Sequence, residues 1–291
     1  MAVNHPMKYD SRWVKSADGT EIYTDAAGNR SPGSPVIVLI HGFSMVKAVF
    51  DPIFEDPKWT SQAFLVRYDA RGHGRSGKPL TDEAWKSKRM WEDFKAVCEE
   101  FQIEKTYILG WSLGSAHFVD IITYNTSITV LGLINVQGAI YLDSSFAKRT
   151  VNYENFKVIL TLANPPTIDI FQETVFAFLH TCSDKLSPEL FRILLEGVIQ
   201  QPRAIAARLN SRTHNPEKML REAREGKLEL LVVSAGKDKL LNVEGFKAVF
   251  DELGWKKWTY EHLEDADHIP WVSCPEAFRE IVIPWVRERY R

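Results

Sequence analysis

The sequence predicts an α/β protein, built on a doubly wound and mostly parallel sheet with helices on both faces. Three observations carry that expectation. Continuous apolar runs rich in β-branched residues recur at 35–40, 63–68, 106–109 and 130–136, as expected of strands covered on both faces. Stretches of helical periodicity separate them, and strand–helix alternation argues parallel strands joined by crossover helices. The rhythm breaks from about 141 to about 214, where only helical patterns occur, and resumes at 228. That break predicts a helical insertion over the strand ends.

The 291 residues suit one large domain, or one domain carrying an insertion. Hydrophobic residues make up 45%, charged residues 25%, and the formal net charge is −2. This balance gives no reason to expect nucleic acid or an anionic membrane surface as partner. Three cysteines, Cys98, Cys182 and Cys274, are few, odd in number and free of C-x-x-C spacing. A disulfide framework is therefore not expected, and a reducing compartment is. Residues 1–7 lack the basic and apolar regions of a secretory signal, and no apolar run is long enough to span a bilayer. The expectation is a cytoplasmic protein acting on a small molecule.

In chain order, Asp18-Gly19 between two short strand patterns predicts a hairpin. The strand at 35–40 ends in His41-Gly42-Phe43-Ser44, and the strand at 63–68 runs into Asp69-Ala70-Arg71-Gly72-His73-Gly74-Arg75-Ser76, too glycine-rich for regular structure. Residues 81–101 carry Trp85, Met90, Phe94, Val97 and Phe101 near helical spacing, with Thr81 as a possible N-cap. Within the insertion, Ile170, Phe171, Thr174, Val175, Phe178 and Leu179 share one helix face. Leu190, Phe191, Leu194, Leu195, Val198 and Ile199 share another, in a helix opened by Ser187 and Pro188. A strand at 228–233, a helix at 243–253 and a strand at 258–262 follow. The last helix pairs Ser273 with Glu276 in capping-box spacing, and Pro284 should bend it or end it early. No internal repeat, low-complexity tract or linker is present.

Gly110-Trp111-Ser112-Leu113-Gly114 lies between a strand pattern and a helix pattern, the context that a G-x-S-x-G nucleophile elbow requires. Small flanking residues let the serine take a strained conformation, and the following helix points N–H groups and its dipole at negative charge beside Ser112. A serine hydroxyl needs a base, and a histidine base needs a carboxylate to fix its tautomer. Asp238 and His268 follow two successive late strands, in the order Ser, Asp, His that accompanies this elbow. Asp143 is the rival acid, at the mouth of the insertion and without a glycine-rich turn. His41 and His73 adjoin glycines, where hydrogen bonding to the backbone is the expected role. An oxyanion hole needs two N–H groups. Leu113, after the nucleophile, and Phe43, after His41-Gly42, are the candidates. No H-E-x-x-H, calcium loop, G-x-G-x-x-G or P-loop is present, so neither a metal nor a nucleotide cofactor is expected.

Together, His41-Gly42-Phe43, the run from Asp69 to Ser76, the elbow, Gly236-Lys237-Asp238 and Asp267-His268 resemble the α/β-hydrolase family. The resemblance is to its branch of esterases, lactonases, C–C bond hydrolases and cofactor-free perhydrolases, and it spans almost the whole chain. It implies an eight-stranded, mostly parallel sheet with a helical cap between the sixth and seventh strands. The core would be 1–140 and 214–291, and the cap 141–213. It also implies Ser112 as nucleophile, His268 as base and Asp238 as its orienter. The chain departs from the pattern twice: Asp267 precedes the histidine where glycine is usual, and Ser273-Cys274-Pro275 stands where an acidic residue often precedes the proline.

The expected activity is hydrolysis of a carboxylic ester through an acyl-enzyme. Lactone or C–C bond hydrolysis, or peracid and haloperoxidase chemistry, would use the same three residues. Epoxide hydrolases and dehalogenases of this fold need a carboxylate nucleophile, against which Ser112 argues. A non-catalytic ligand-binding role is the reading from another class. Trp111, Tyr141 and Trp271 lie near the site in sequence, and the insertion adds Phe171, Phe176 and Phe178, so an apolar substrate pocket is expected there, although core packing explains the same aromatics.

Overall fold

The computed structural model describes residues 9–290, apart from the side chain of Asn210. His5 lies outside the described residues. Eight strands form one sheet: β1 (Asp10–Lys15), β2 (Glu21–Gly28), β3 (Val36–Ile40), β4 (Phe64–Tyr68), β5 (Lys105–Trp111), β6 (Thr129–Val136), β7 (Glu229–Ala235) and β8 (Lys257–Leu263). The order across the sheet is β1-β2-β4-β3-β5-β6-β7-β8. β1 and β2 form the antiparallel hairpin turning at Asp18-Gly19, β2 joins β4 antiparallel, and every later pair is parallel.

Side-chain alternation along each strand builds two apolar layers. Ile37, Leu39, Leu109, Trp111, Ile134, Leu231 and Val233 fall in one core cluster, and Val38, Ile40, Ile108, Leu133, Leu230 and Val232 in the other. The second layer is covered by α3 (Ser87–Glu100), α4 (His117–Tyr124), α10 (Glu217–Arg224) and α11 (Val243–Glu252). The first is covered by α1 (Asp51–Glu55), α2 (Pro57–Thr60), α12 (Pro270–Ser273) and α13 (Pro275–Arg289).

Between β6 and α10 run α5 (Ser144–Thr150), α6 (Tyr153–Ala163), α7 (Ile168–Cys182), α8 (Pro188–Gln200) and α9 (Arg203–Ser211). Ser187 caps α8 through the Leu190 N–H. Packing divides this segment. Ile159, Leu162, Val175, Phe178, Leu179, Leu194, Val198 and Ile205, from α6 to α9, share a cluster with Phe43, Met45 and Trp111. α5 instead joins the opposite layer, its Phe146 ring 6.3 Å from that of Phe250 on α11.

Three local expectations need correction. The stretch at 81–101 is a 3₁₀ turn at Asp82–Trp85 followed by α3, and Thr81 makes no side-chain cap. Ser273 does not cap α13, because its Oγ already accepts the Asp267 N–H; Cys274 holds the cap position. Pro284 does not end α13, which continues to Arg289. Pro284 and Glu280 are on the exposed side, so water can satisfy the carbonyl that the proline leaves unpaired. Buried Phe278, Val282, Trp285 and Val286 hold the helix down on both sides of it.

Candidate active site

β5 ends at Trp111 and the chain turns through a 3₁₀ segment, Ser112–Ala116, into α4. Ser112 sits at φ 53°, in the left-handed region that a side chain normally avoids. The turn is tight enough to exclude side chains around it. A Cβ on Gly114 would lie 2.2 Å from the Ile40 carbonyl oxygen, and one on Gly110 would lie 2.6 Å from the Ser115 Cα. Ser115 Oγ–H closes the turn on the Gly110 carbonyl at 2.7 Å. Across the strand ends, Asn135 braces the next loop, bonding the Gly138 N–H and carbonyl, each at 2.9 Å.

Asp238 follows β7 and His268 follows β8, and the tertiary structure joins them. His268 Nδ1 is 2.7 Å from Asp238 Oδ2, with the two residues 2% and 8% exposed. The other carboxylate oxygen accepts the Leu240 and Leu241 N–H groups at 2.7 and 3.1 Å, which fixes the plane of the carboxylate. An ionised Asp238 places the imidazole proton on Nδ1 and leaves Nε2 as the basic nitrogen. The bridge from this pair to the elbow is Trp111, whose indole N–H donates to the His268 carbonyl at 2.7 Å. Its ring centroid is 5.3 Å from that of His268. Ser112 is partly exposed, and among the described residues its Oγ has no hydrogen-bond partner.

The loop after β3 passes beside the elbow: a Cβ on Gly42 would be 3.0 Å from that of Ser112. His41 anchors the loop. Its Nε2 accepts the Ala70 N–H at 3.0 Å, so Nδ1 carries the proton and donates to the Gly42 carbonyl at 2.9 Å. Burial pushes the His41 pKa down, in keeping with a neutral structural ring. Among the described residues the Phe43 N–H has no backbone acceptor. Leu113 is the second residue of its 3₁₀ segment, where an N–H has no carbonyl of the same turn to reach. Ser44 is held at φ 54° and fully buried, its Oγ–H donating to Gln201 Oε1 at 2.6 Å; Gln201 Nε2–H in turn donates to the Gly72 carbonyl at 3.2 Å. A glutamine between α8 and α9 thus binds the loop after β3 to the loop after β4.

The remaining candidates divide. Trp111 and Trp271 pack against each other with centroids 5.4 Å apart, each 1% exposed, and Trp271 donates its indole N–H to the Val49 carbonyl. They take core positions beneath the site. Tyr141 is not brought to them: it packs on Phe146, in the opposite layer, because the chain after β6 turns toward α11. Phe178 does reach the site loops, its ring 6.5 Å from that of Phe43, whereas Phe176 is 49% exposed and faces Phe191. Asp143 caps α5 through the Ser145 and Phe146 N–H groups, so its carboxylate is engaged at the helix end and not on His268, whose Nδ1 partner is Asp238. His214 bridges Asp120 and the Leu142 N–H, and His262 meets Ser234 Oγ. Sequence reasoning missed Ser44, Asn135, Gln201 and Ser183. The polar residue type is the only local signal at these positions, and the partners are brought together by folding alone.

The fold and this arrangement define the α/β-hydrolase class. Residues 37–281 match the Alpha/beta hydrolase family, and the chain belongs to that family. Among curated relatives, the Mycobacterium tuberculosis protein named probable oxidoreductase EphD is 36% identical over 106 residues, covering 36% of this chain and 17% of that protein. Epoxide hydrolase B of the same organism is 25% identical over 103 residues, covering 35% of this chain and 28% of that protein. The chain therefore spans less than a third of either relative. Among solved structures, the esterase RhEst1 from Rhodococcus sp. ECU1013 superposes with a TM-score of 0.79 at 20% identity, over 95% of this chain and 98% of that one. A mutant of the N-acyl homoserine lactonase AidH, complexed with N-hexanoyl homoserine, gives 0.76 at 16% identity, over 97% and 98%. Among the described residues no helix is long and apolar enough to cross a membrane.

Proposed function

We propose that this hydrolase-family protein cleaves a carboxylic ester of a small to medium apolar substrate, through an acyl-enzyme on Ser112. The observation that carries the reading is the buried His268–Asp238 bond, tied through Trp111 to a serine held at φ 53°. In this reading the substrate carbonyl lies between Ser112 and the N–H groups of Phe43 and Leu113. Ser112 Oγ attacks as His268 Nε2 takes its proton, and Asp238 stabilises the imidazolium without itself being protonated. The two N–H groups receive the charge that develops on the carbonyl oxygen. His268 then protonates the departing alcohol and activates a water that releases the acid.

Residues 141–213 are the proposed cap, with α6 to α9 as the part that covers the site. Phe178 against Phe43, and Gly197 against Val46, place apolar surface over the strand ends and favour an apolar acyl or alcohol group. The test is hydrolysis of p-nitrophenyl esters from acetate to palmitate, with Ser112→Ala as control. A serine-dependent optimum at short or medium chains is expected. Hydrolysis that survives Ser112→Ala near the wild-type rate would overturn the assignment. Silence toward every ester, with Ser112 still labelled by a fluorophosphonate, would transfer the same machinery to lactone, C–C or peroxide substrates.

A further inference from the structure

Asp267 and Ser273, which lie in the two stretches where the chain departs from the pattern of its family, are bonded to each other and to the insertion. The Asp267 N–H donates to Ser273 Oγ at 3.0 Å, and the Ser273 hydroxyl donates onward to the Ile269 carbonyl at 3.3 Å. Asp267 Oδ1 accepts the Ile269 N–H at 3.0 Å. His268 is therefore gripped through both of its chain neighbours. The other oxygen, Asp267 Oδ2, accepts the hydroxyl of Ser183 at 2.6 Å, and Ser183 is 2% exposed in the connector after α7.

The same connector makes further contacts. Lys185 Nζ–H donates to the Ser273 carbonyl at 3.0 Å, and the Lys185 N–H donates to Ser183 Oγ at 3.1 Å. Lys239, the neighbour of Asp238, donates to the His180 carbonyl at 3.2 Å and pairs with Asp184. Cys182 is buried between these contacts. Burial pushes its thiol pKa well up, and the charges of Asp238 and Asp267 add to the effect.

We propose that the end of α7 and the connector after it, residues 180–185, form a clamp that fixes the Asp238–His268 pair, with Asp267 as the positioning residue through which it acts on His268. The inference rests on the reading of His268 as the base serving Ser112. A base must stand within hydrogen-bond reach of the proton it takes, and small displacements of a catalytic group are costly in rate. Holding the base loop from the insertion ties that geometry to the placement of α7.

The test compares wild type with Ser183→Ala, Asp267→Ala and Asp267→Asn, using kcat and KM for p-nitrophenyl butyrate, fluorophosphonate labelling, and amide hydrogen exchange of the segment 264–274. Asp267→Ala should lower kcat by about 10- to 100-fold and change KM by less than about twofold, as expected when transition-state geometry is lost and binding is kept. Asp267→Asn should restore most of the rate, because the amide can accept from Ile269 and donate to Ser183 Oγ. Ser183→Ala should speed exchange in 264–274. Wild-type kcat and unchanged exchange in both alanine variants would overturn the clamp. So would a loss in Asp267→Asn equal to that in Asp267→Ala, which would assign the effect to charge. If wild-type Ser112 is not labelled, the reading of the site fails, and the exchange measurement still decides the clamp.

Discussion

Ser112 occupies a backbone conformation that costs energy anywhere else, and the glycines around it exist to make that conformation accessible. Gly114→Ala would drive a Cβ onto the Ile40 carbonyl, a backbone atom that cannot swing aside. Urea titration should show a loss of about 1–3 kcal/mol from this overpacking. At Asp238 the two oxygens do different things: one faces His268, the other is fixed by two backbone N–H groups. Asp238→Asn keeps the size and the backbone bonds but presents the wrong partner to Nδ1–H. Under the proposed function the expected outcome is a fall in kcat of about 10⁴-fold, measured on p-nitrophenyl butyrate. Ser112, Asp238 and His268 were readable in the sequence as candidates because type, order and position at strand ends are local properties. Gln201 was not, because its partner Ser44 lies 157 residues away.

At the scale of elements, bonds from the insertion reach the loops at the strand ends, and those made by Gln201 are buried. Gln201 spans from Ser44 to Gly72, and Gln201→Leu would leave a hydroxyl and a carbonyl unpaired in the interior. Release of the Phe43 loop should lower kcat by about tenfold or more, with ester KM little changed; initial-rate assays across substrate concentration give both numbers. Where the insertion returns to the core, Arg212 pairs with Asp120 on α4, both buried. Burial alone would raise the Asp120 pKa, but Arg212 and His214 overcome it and hold the carboxyl at about 2. Arg212→Met strands that charge and should cost about 3–5 kcal/mol in urea unfolding. The helices and strands were legible from periodicity. Cap and kink details were not, as Ser273 and Pro284 show: a competing backbone donor six residues earlier took the serine, and packing outweighed the missing hydrogen bond.

For the molecule as a whole, the buried polar layer behind the elbow sets the response to acid. Burial, with Arg212 adding to it, pushes His117 down to about 3, and burial likewise pushes His73 well below its ordinary value. Both rings are neutral in the folded protein, whereas the unfolded chain takes up protons below about 6.5. The unfolded state then binds more protons, so this stability is fully present above about pH 6.5 and is lost as pH falls toward about 3. His117 contributes a slope of about 1.4 kcal/mol per pH unit in that window, and His73 acts in the same direction. The urea midpoint should therefore be lower at pH 5 than at pH 7, and His117→Gln should flatten the dependence. A midpoint that does not move would place these rings in contact with solvent.

The sequence by itself determined the α/β alternation, the interruption by helices, and the identity and order of the candidate site residues, because each is written in short-range pattern: periodicity, glycine placement, residue type at a strand end. Tertiary structure alone decided which aromatic residues approach the site and which loops hold it. Phe178 meets Phe43 while Tyr141 turns to the other layer, and Ser183 and Gln201 reach the loops of His268 and Phe43 across 84 and 157 residues. Such contacts are satisfied only when distant segments close on one another, and a buried hydrogen bond leaves no periodic trace in the chain that forms it.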